Sequence, residues 1–156
     1  MSSLENALLT TIFTISGGVL IFLCEKIISN ILKKKDRYIE IKSKIAISLK
    51  FYANLIHNPL QSKQLDNYME YRLENFYNAK KDIRKLAMEL DTFSNQNKNS
   101  FIRWYIGLSK THEIEKAKRN LVGISNALIK DNLDKNVVKN NKERKDIIIK
   151  SLELEE

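Results

Sequence analysis

The chain has 156 residues, enough for one domain of ordinary size, and 27 Lys and Arg against 19 Asp and Glu give it a formal net charge of +8. Four glycines and one proline leave few helix breakers, so long helices are expected. A single cysteine excludes an internal disulfide framework, no metal cluster finds its ligands, and no Gly-rich phosphate loop occurs, so no cofactor and no metal site is expected.

The first element is "ALLTTIFTISGGVLIFLC", Ala7 to Cys24, eighteen residues without a charge. At about 1.5 Å per residue a helix of that length covers ~27 Å, close to a hydrocarbon core of ~30 Å. The stretch before it carries Glu5 and no Lys or Arg, and "FLCEKI" offers no small-x-small cleavage site, so a retained single span fits better than a secretory signal. Lys26, Lys33, Lys34, Lys35 and Arg37 follow the span and no basic residue precedes it. The positive-inside rule then expects the N-terminus outside and the remainder in the cytoplasm. Thr10, Thr14 and Gly18 lie four apart on one face, a small-residue spacing that lets helix backbones approach and suits a homo-oligomer or the lining of a pore. Alternatively, these hydroxyls bond their own backbone carbonyls and the face carries no contact.

An apolar rhythm of threes and fours, Tyr38, Ile41, Ile45, Leu49, Tyr52 and Ile56, predicts a helix that stops at Asn58 before Pro59. No breaker separates it from the span, so the two are expected to form one long rod. A third helix is expected from about Ser62 to Phe93, with Leu65, Met69, Phe76, Ile83, Leu86, Leu90 and Phe93 inward. Ser94 to Ser100 reads as a polar loop and "FIRWYIGLSK" as a short helix. Thr111 is the expected N-cap of a helix whose stripe is Ile114, Ala117, Leu121, Ile124 and Leu128. "KDNLDKN" breaks it, and Lys142 to Leu154 reads as a separable tail helix. The expected fold is all-α: a transmembrane helix and its flank over 1–32, a small cytoplasmic helical bundle over 33–130, and a charged C-terminal tail helix over 131–156.

Catalysis has little support. His57 and His112 stand at helix ends with no nucleophile at a recognisable spacing, and Glu113 and Glu115 are two apart and so do not share a helix face. The chain is read as a non-enzyme. The net charge suits either an anionic ligand, a nucleotide or oligonucleotide, or a surface lying beside anionic membrane lipid. The candidate ligand surface is Arg103, Trp104, Tyr105, Lys110, Lys116, Lys118 and Arg119, where aromatic faces stand among cations. The same aromatics suit an interfacial belt, and a core Trp is the plainest reading of Trp104. Asn54, Ser125 and Asn126 stand on or beside apolar stripes and, if buried, are expected to partner one another. Gly123 inside a helix points to a close contact there.

"FYANLIHNP" (Phe51 to Pro59) and "AKRNLVGISNALI" (Ala117 to Ile129), with the N-terminal span, resemble small bacterial membrane proteins bearing a "YAN…NP" helix end and a late "LxGxSN" helix. That resemblance implies a membrane-anchored helical bundle. The layout is also similar to membrane effectors of phage-defence systems of the Hailong type, in which a nucleotidyltransferase and its oligonucleotide product control a membrane protein. What it implies is a homo-oligomeric effector, a ligand-gated pore or membrane-disrupting protein in antiphage defence, with a regulatory partner protein. The alternatives are a membrane-tethered scaffold that binds a partner protein, or an accessory subunit of a larger membrane complex.

Overall fold

The computed structural model describes residues 3–61, 70–130 and 136–155. The described chain is helical almost throughout, with the long apolar N-terminal helix and the small bundle that the sequence predicts. Helix α1 (Ser3–Phe51) runs for 49 residues without a break, about 74 Å at the α-helical rise. It contains a segment long and apolar enough to cross a membrane, and none of its most apolar 18-residue window is buried against the protein. The same helix then enters the bundle: Tyr38, Ile41, Ile45 and Leu49 are buried. Helix α2 (Ala53–His57) continues it after a local turn at Tyr52 and ends at Asn58, whose backbone (φ −126°, ψ 66°) is driven out of helical space by Pro59.

Helix α3 (Glu70–Gln96) packs antiparallel to α1. Phe93 near its end stacks on Tyr38 at 5.8 Å, and Asp82 further back accepts a 2.6 Å hydrogen bond from the Tyr52 hydroxyl. Phe76, Ile83, Leu86, Leu90 and Phe93 are buried as predicted, while Leu65 and Met69 lie outside the described residues. Helix α4 (Ser100–Tyr105) is short, and α5 (Thr111–Ala127) buries every residue of its predicted stripe. A two-residue parallel pairing, β1 (Leu60–Gln61) with β2 (Ile129–Lys130), ties the turn after α2 to the end of α5. It was not predicted, because two residues are too few for a period-2 pattern to show.

Three expectations need correction. The segment from Lys142 to Leu154 is not a detached tail. It belongs to α6 (Val137–Leu152), which packs on α5 and puts fully buried Ile148 and Leu152 into the common core. Each such side chain contributes roughly 1.5–3 kcal/mol by burial. Buried Asn141 joins this helix to α2, donating from Nδ2 to the Ile56 carbonyl at 2.9 Å. Thr111 is the first residue of α5 rather than its cap, which falls at Lys110. The polar run from Ser94 is not simply a loop. Asn97 Nδ2 caps the Phe93 carbonyl at the end of α3, and the Asn99 side chain accepts from Phe101 and Ile102 N–H at the start of α4.

Candidate anion-binding groove

Two faces of charge meet where α1 and α3 run side by side. From α1 come Lys33, Lys34 and Arg37, and from α3 come Lys80, Lys81, Arg84 and Lys85. On α3 these cations recur at helical spacing on the side away from Ile83, Ala87 and Leu90. Between them opens a groove of about 1090 Å³ floored by Ile41, Tyr77, Met88 and Phe93. That volume stands just above the usual range for small-ligand sites, roughly 300–1,000 Å³.

Glu89 is the one carboxylate among the groove's lining residues. Arg37 sits 2.6 Å from Glu40 on its own helix and 3.6 Å from Glu89 across the groove, and Glu40 holds the guanidinium pKa above its ordinary value. Arg84 donates to Asn126 Oδ1 at 2.6 Å. The five lysines form no ion pair among the described residues, so their charge remains available. Asn97 Oδ1 is a buried acceptor without a hydrogen-bond partner, and Glu89 Oε2, also without one, faces Arg37 Nη2 at 3.6 Å. The groove therefore offers cations at its walls and a planar ring at Tyr77. That combination suits an anion that also carries a flat ring.

The predicted ligand surface does not assemble into one site. Arg103 is held by the fold, donating to Ser94 Oγ at 3.2 Å and to the Ser109 carbonyl at 2.7 Å. Lys118 lies between Glu115 and Asp91 at 2.9 and 3.0 Å, and those carboxylates hold its pKa up. Lys116 pairs with Glu113 at 2.9 Å. Lys110 and Arg119 are exposed, and Lys110 shares a shallow surface hollow with Lys116 that Trp104, Lys118 and Arg119 do not line. Trp104 is 77% exposed, so the core reading of this residue is wrong, and Tyr105 is 43% exposed.

Asn54, Ser125 and Asn126 form no network with one another. Ser125 is buried and donates to the Lys80 carbonyl at 2.9 Å, locking α5 to α3. Asn126 is exposed and holds Arg84, while exposed Asn54 serves through its carbonyl, which accepts from Asn58. Gly123 does mark a close approach, by the Arg144 side chain: Arg144 Nη1 donates to its carbonyl at 3.2 Å, and a Cβ on Gly123 would stand 2.8 Å from Nε.

On the apolar half of α1, Thr14 Oγ1 donates to the Thr10 carbonyl at 2.8 Å, the local bond open to any helical threonine. A Cβ added at Gly18 would meet nothing within 4 Å. The groove cations on α3 escaped the sequence reading, although "AKKDIRK", Ala79 to Lys85, carries the signal: Lys80, Lys81, Arg84 and Lys85 at offsets of one, four and five share a face. No protein family, curated protein or solved structure matches this chain.

Proposed function

We propose that the chain is a non-enzymatic, membrane-anchored effector that crosses the bacterial inner membrane once, N-terminus outside, and carries its bundle in the cytoplasm. A nucleotide or short oligonucleotide in the groove between α1 and α3 controls the spanning segment, and copies assemble through the face of Thr10, Thr14 and Gly18. The observation that carries this reading is continuity: the helix that walls the groove at Lys33, Lys34 and Arg37 is the same uninterrupted α1 that holds the apolar segment. Ligand phosphates would meet the lysines of α3, and a base would lie against Tyr77, one turn before Lys80 and Lys81. In the antiphage setting suggested by the layout, release from control would depolarise the membrane.

The decisive experiment induces the full chain in bacterial cells and follows membrane potential with a dye, alongside crosslinking in the membrane. The parent should crosslink to itself and depolarise the cells. Gly18→Leu meets no neighbour within one chain, so its loss of both signals would report on assembly rather than on folding. Self-association unchanged in Gly18→Leu overturns the small-face contact. An induced, membrane-inserted chain that neither crosslinks nor depolarises overturns the effector reading. The membrane-tethered scaffold then leads, with the apolar floor of the groove as the seat for a partner segment.

A further inference from the structure

Helix α4 presents its aromatic side chains outward. Phe101 is 62% and Trp104 77% exposed, and their rings lie 6.3 Å apart, so they form one patch with Tyr105 beside it. The opposite side is fixed in the protein, with Ile106 and Leu108 buried and Ile102 half-buried. The helix has only six residues, yet both ends are closed. Asn99 caps the first turn. At the other end Gly107, at φ +67°, allows Leu108 N–H to reach the Arg103 carbonyl and its own N–H to reach the Trp104 carbonyl, a Schellman closure. Held at both ends, α4 displays its aromatics on a firm base.

Its position gives the patch a partner. Ser109, just after α4, bonds the Tyr38 hydroxyl at 2.9 Å, and Asn97, just before it, lines the groove with Lys33 and Lys34. Ile31 is already half-buried against the bundle core, so the bundle begins where the apolar face of α1 ends at exposed Leu32. Tyr38 follows Leu32 by six residues, about 9 Å along the helix. The patch therefore stands at the end of the bundle nearest the apolar segment. Lys33, Lys34 and Lys35 on α1, with exposed Lys98 and Lys110 flanking α4, add positive charge at that end.

We propose that α4 is an interfacial anchor: Phe101 and Trp104 enter the headgroup region of an anionic bilayer beside the span and fix the height and tilt of the bundle. An amphipathic ring suits that layer, and neighbouring lysines gain from anionic lipid. This rests on α1 spanning the membrane but is independent of any ligand in the groove.

Trp104 is the only tryptophan in the chain, so its fluorescence reports the site directly. The full chain is reconstituted in vesicles of phosphatidylglycerol and phosphatidylethanolamine, with and without brominated acyl chains, and incorporation is checked by flotation. A control moves the reporter to the far end of α1, as Phe51→Trp in a Trp104→Phe background. Phe51 is 77% exposed and lies ~28 Å along the helix beyond Leu32. Trp104 should emit to the blue, be quenched by brominated lipid and resist acrylamide, while the Phe51→Trp reporter behaves as indole in water. The proposal is overturned if the chain floats with the vesicles and Trp104 remains as open to acrylamide as the control. Equal quenching of both reporters by brominated lipid also overturns it, since the whole bundle then lies on the surface. Failure to float removes the span reading, and the anchor with it.

Discussion

If the groove between α1 and α3 holds the ligand, its unpaired lysines and the paired lysines of α5 must respond differently to salt. Lys81 lines the groove and forms no ion pair among the described residues, whereas Lys116 already faces Glu113 at 2.9 Å. For a single-stranded ligand each phosphate neutralised adds about 0.7 to the slope of log K against log salt. A fourfold rise in salt then weakens binding about 2.6-fold per contact. Lys81→Ala should lower the slope by ~0.7, and Lys116→Ala should leave it unchanged. Tyr77→Ala removes a stacking face and should cost roughly 1–3 kcal/mol at every salt concentration. The assay is fluorescence anisotropy of a short labelled oligoadenylate against the full chain in detergent, across a salt series. Equal slopes for Lys81→Ala and Lys116→Ala, or no binding by the parent at low salt, would refute the assignment of the groove.

Adjacent residues on α6 test its place in the core. Ile148→Ala empties a site that is 0% exposed and should cost about 2–5 kcal/mol in urea unfolding of the bundle, whereas Ile147→Ala, 40% exposed, should change little; equal effects would mean that α6 is loose. The pH dependence of the same unfolding reports on Glu113. Hydrogen bonds from Lys116 and Ser151 lower its pKa from 4.5 to about 2. A carboxylate with a depressed folded pKa stabilises fully above its unfolded value, and that contribution is lost as pH falls through the folded one. Stability should therefore drop between about pH 4.5 and 2, and Glu113→Gln should reduce that part of the drop; an unchanged acid limb in Glu113→Gln would exclude the carboxylate as its source.

The helical stripes were legible because burial and period coincide in them. Tyr38, Ile41, Ile45 and Leu49 on α1 and Ile114, Ala117, Leu121, Ile124 and Leu128 on α5 repeat at helical spacing, and all are buried. The α6 contact was hidden because Ile148 and Leu152 stand among charges and half the helix is polar, so its apolar stripe is narrow. Asn141 was invisible for a different reason: its partner is a main-chain carbonyl 85 positions away, and sequence carries no trace of a backbone acceptor. Within the candidate ligand surface, Lys116 and Lys118 are tied to counter-charges that a count of cations passes over. Lys118 looks free in sequence, yet Asp91 on α3 and Glu115 on its own helix both reach it. The lysines of α3 were not singled out in the sequence, where nothing marks them as bordering a groove shared with Lys33, Lys34 and Arg37 of α1.

The junction of α1 and α3 also sets what any control of the span requires. A ligand shifts an equilibrium only if it binds two arrangements unequally. The cross-groove pair Arg37–Glu89, at 3.6 Å, is looser than the 2.6 Å pair that Arg37 makes with Glu40 on its own helix. A phosphate entering the groove would compete with Glu89 for that guanidinium, while the lysines of both helices would be drawn toward the same anion. The distance between α1 and α3 is thus the coordinate on which bound and empty states would differ. Further along, Tyr38 is stacked on Phe93 and bonded to Ser109, and Tyr52 is bonded to Asp82, so the lower part of α1 is pinned to the bundle. A change in the gap at Lys33 to Arg37 would then be expressed on the free side of that pinned stretch, in the direction of the apolar segment. With neither proline nor glycine between Gly18 and Pro59 to absorb a bend, α1 would pass the change on as a tilt.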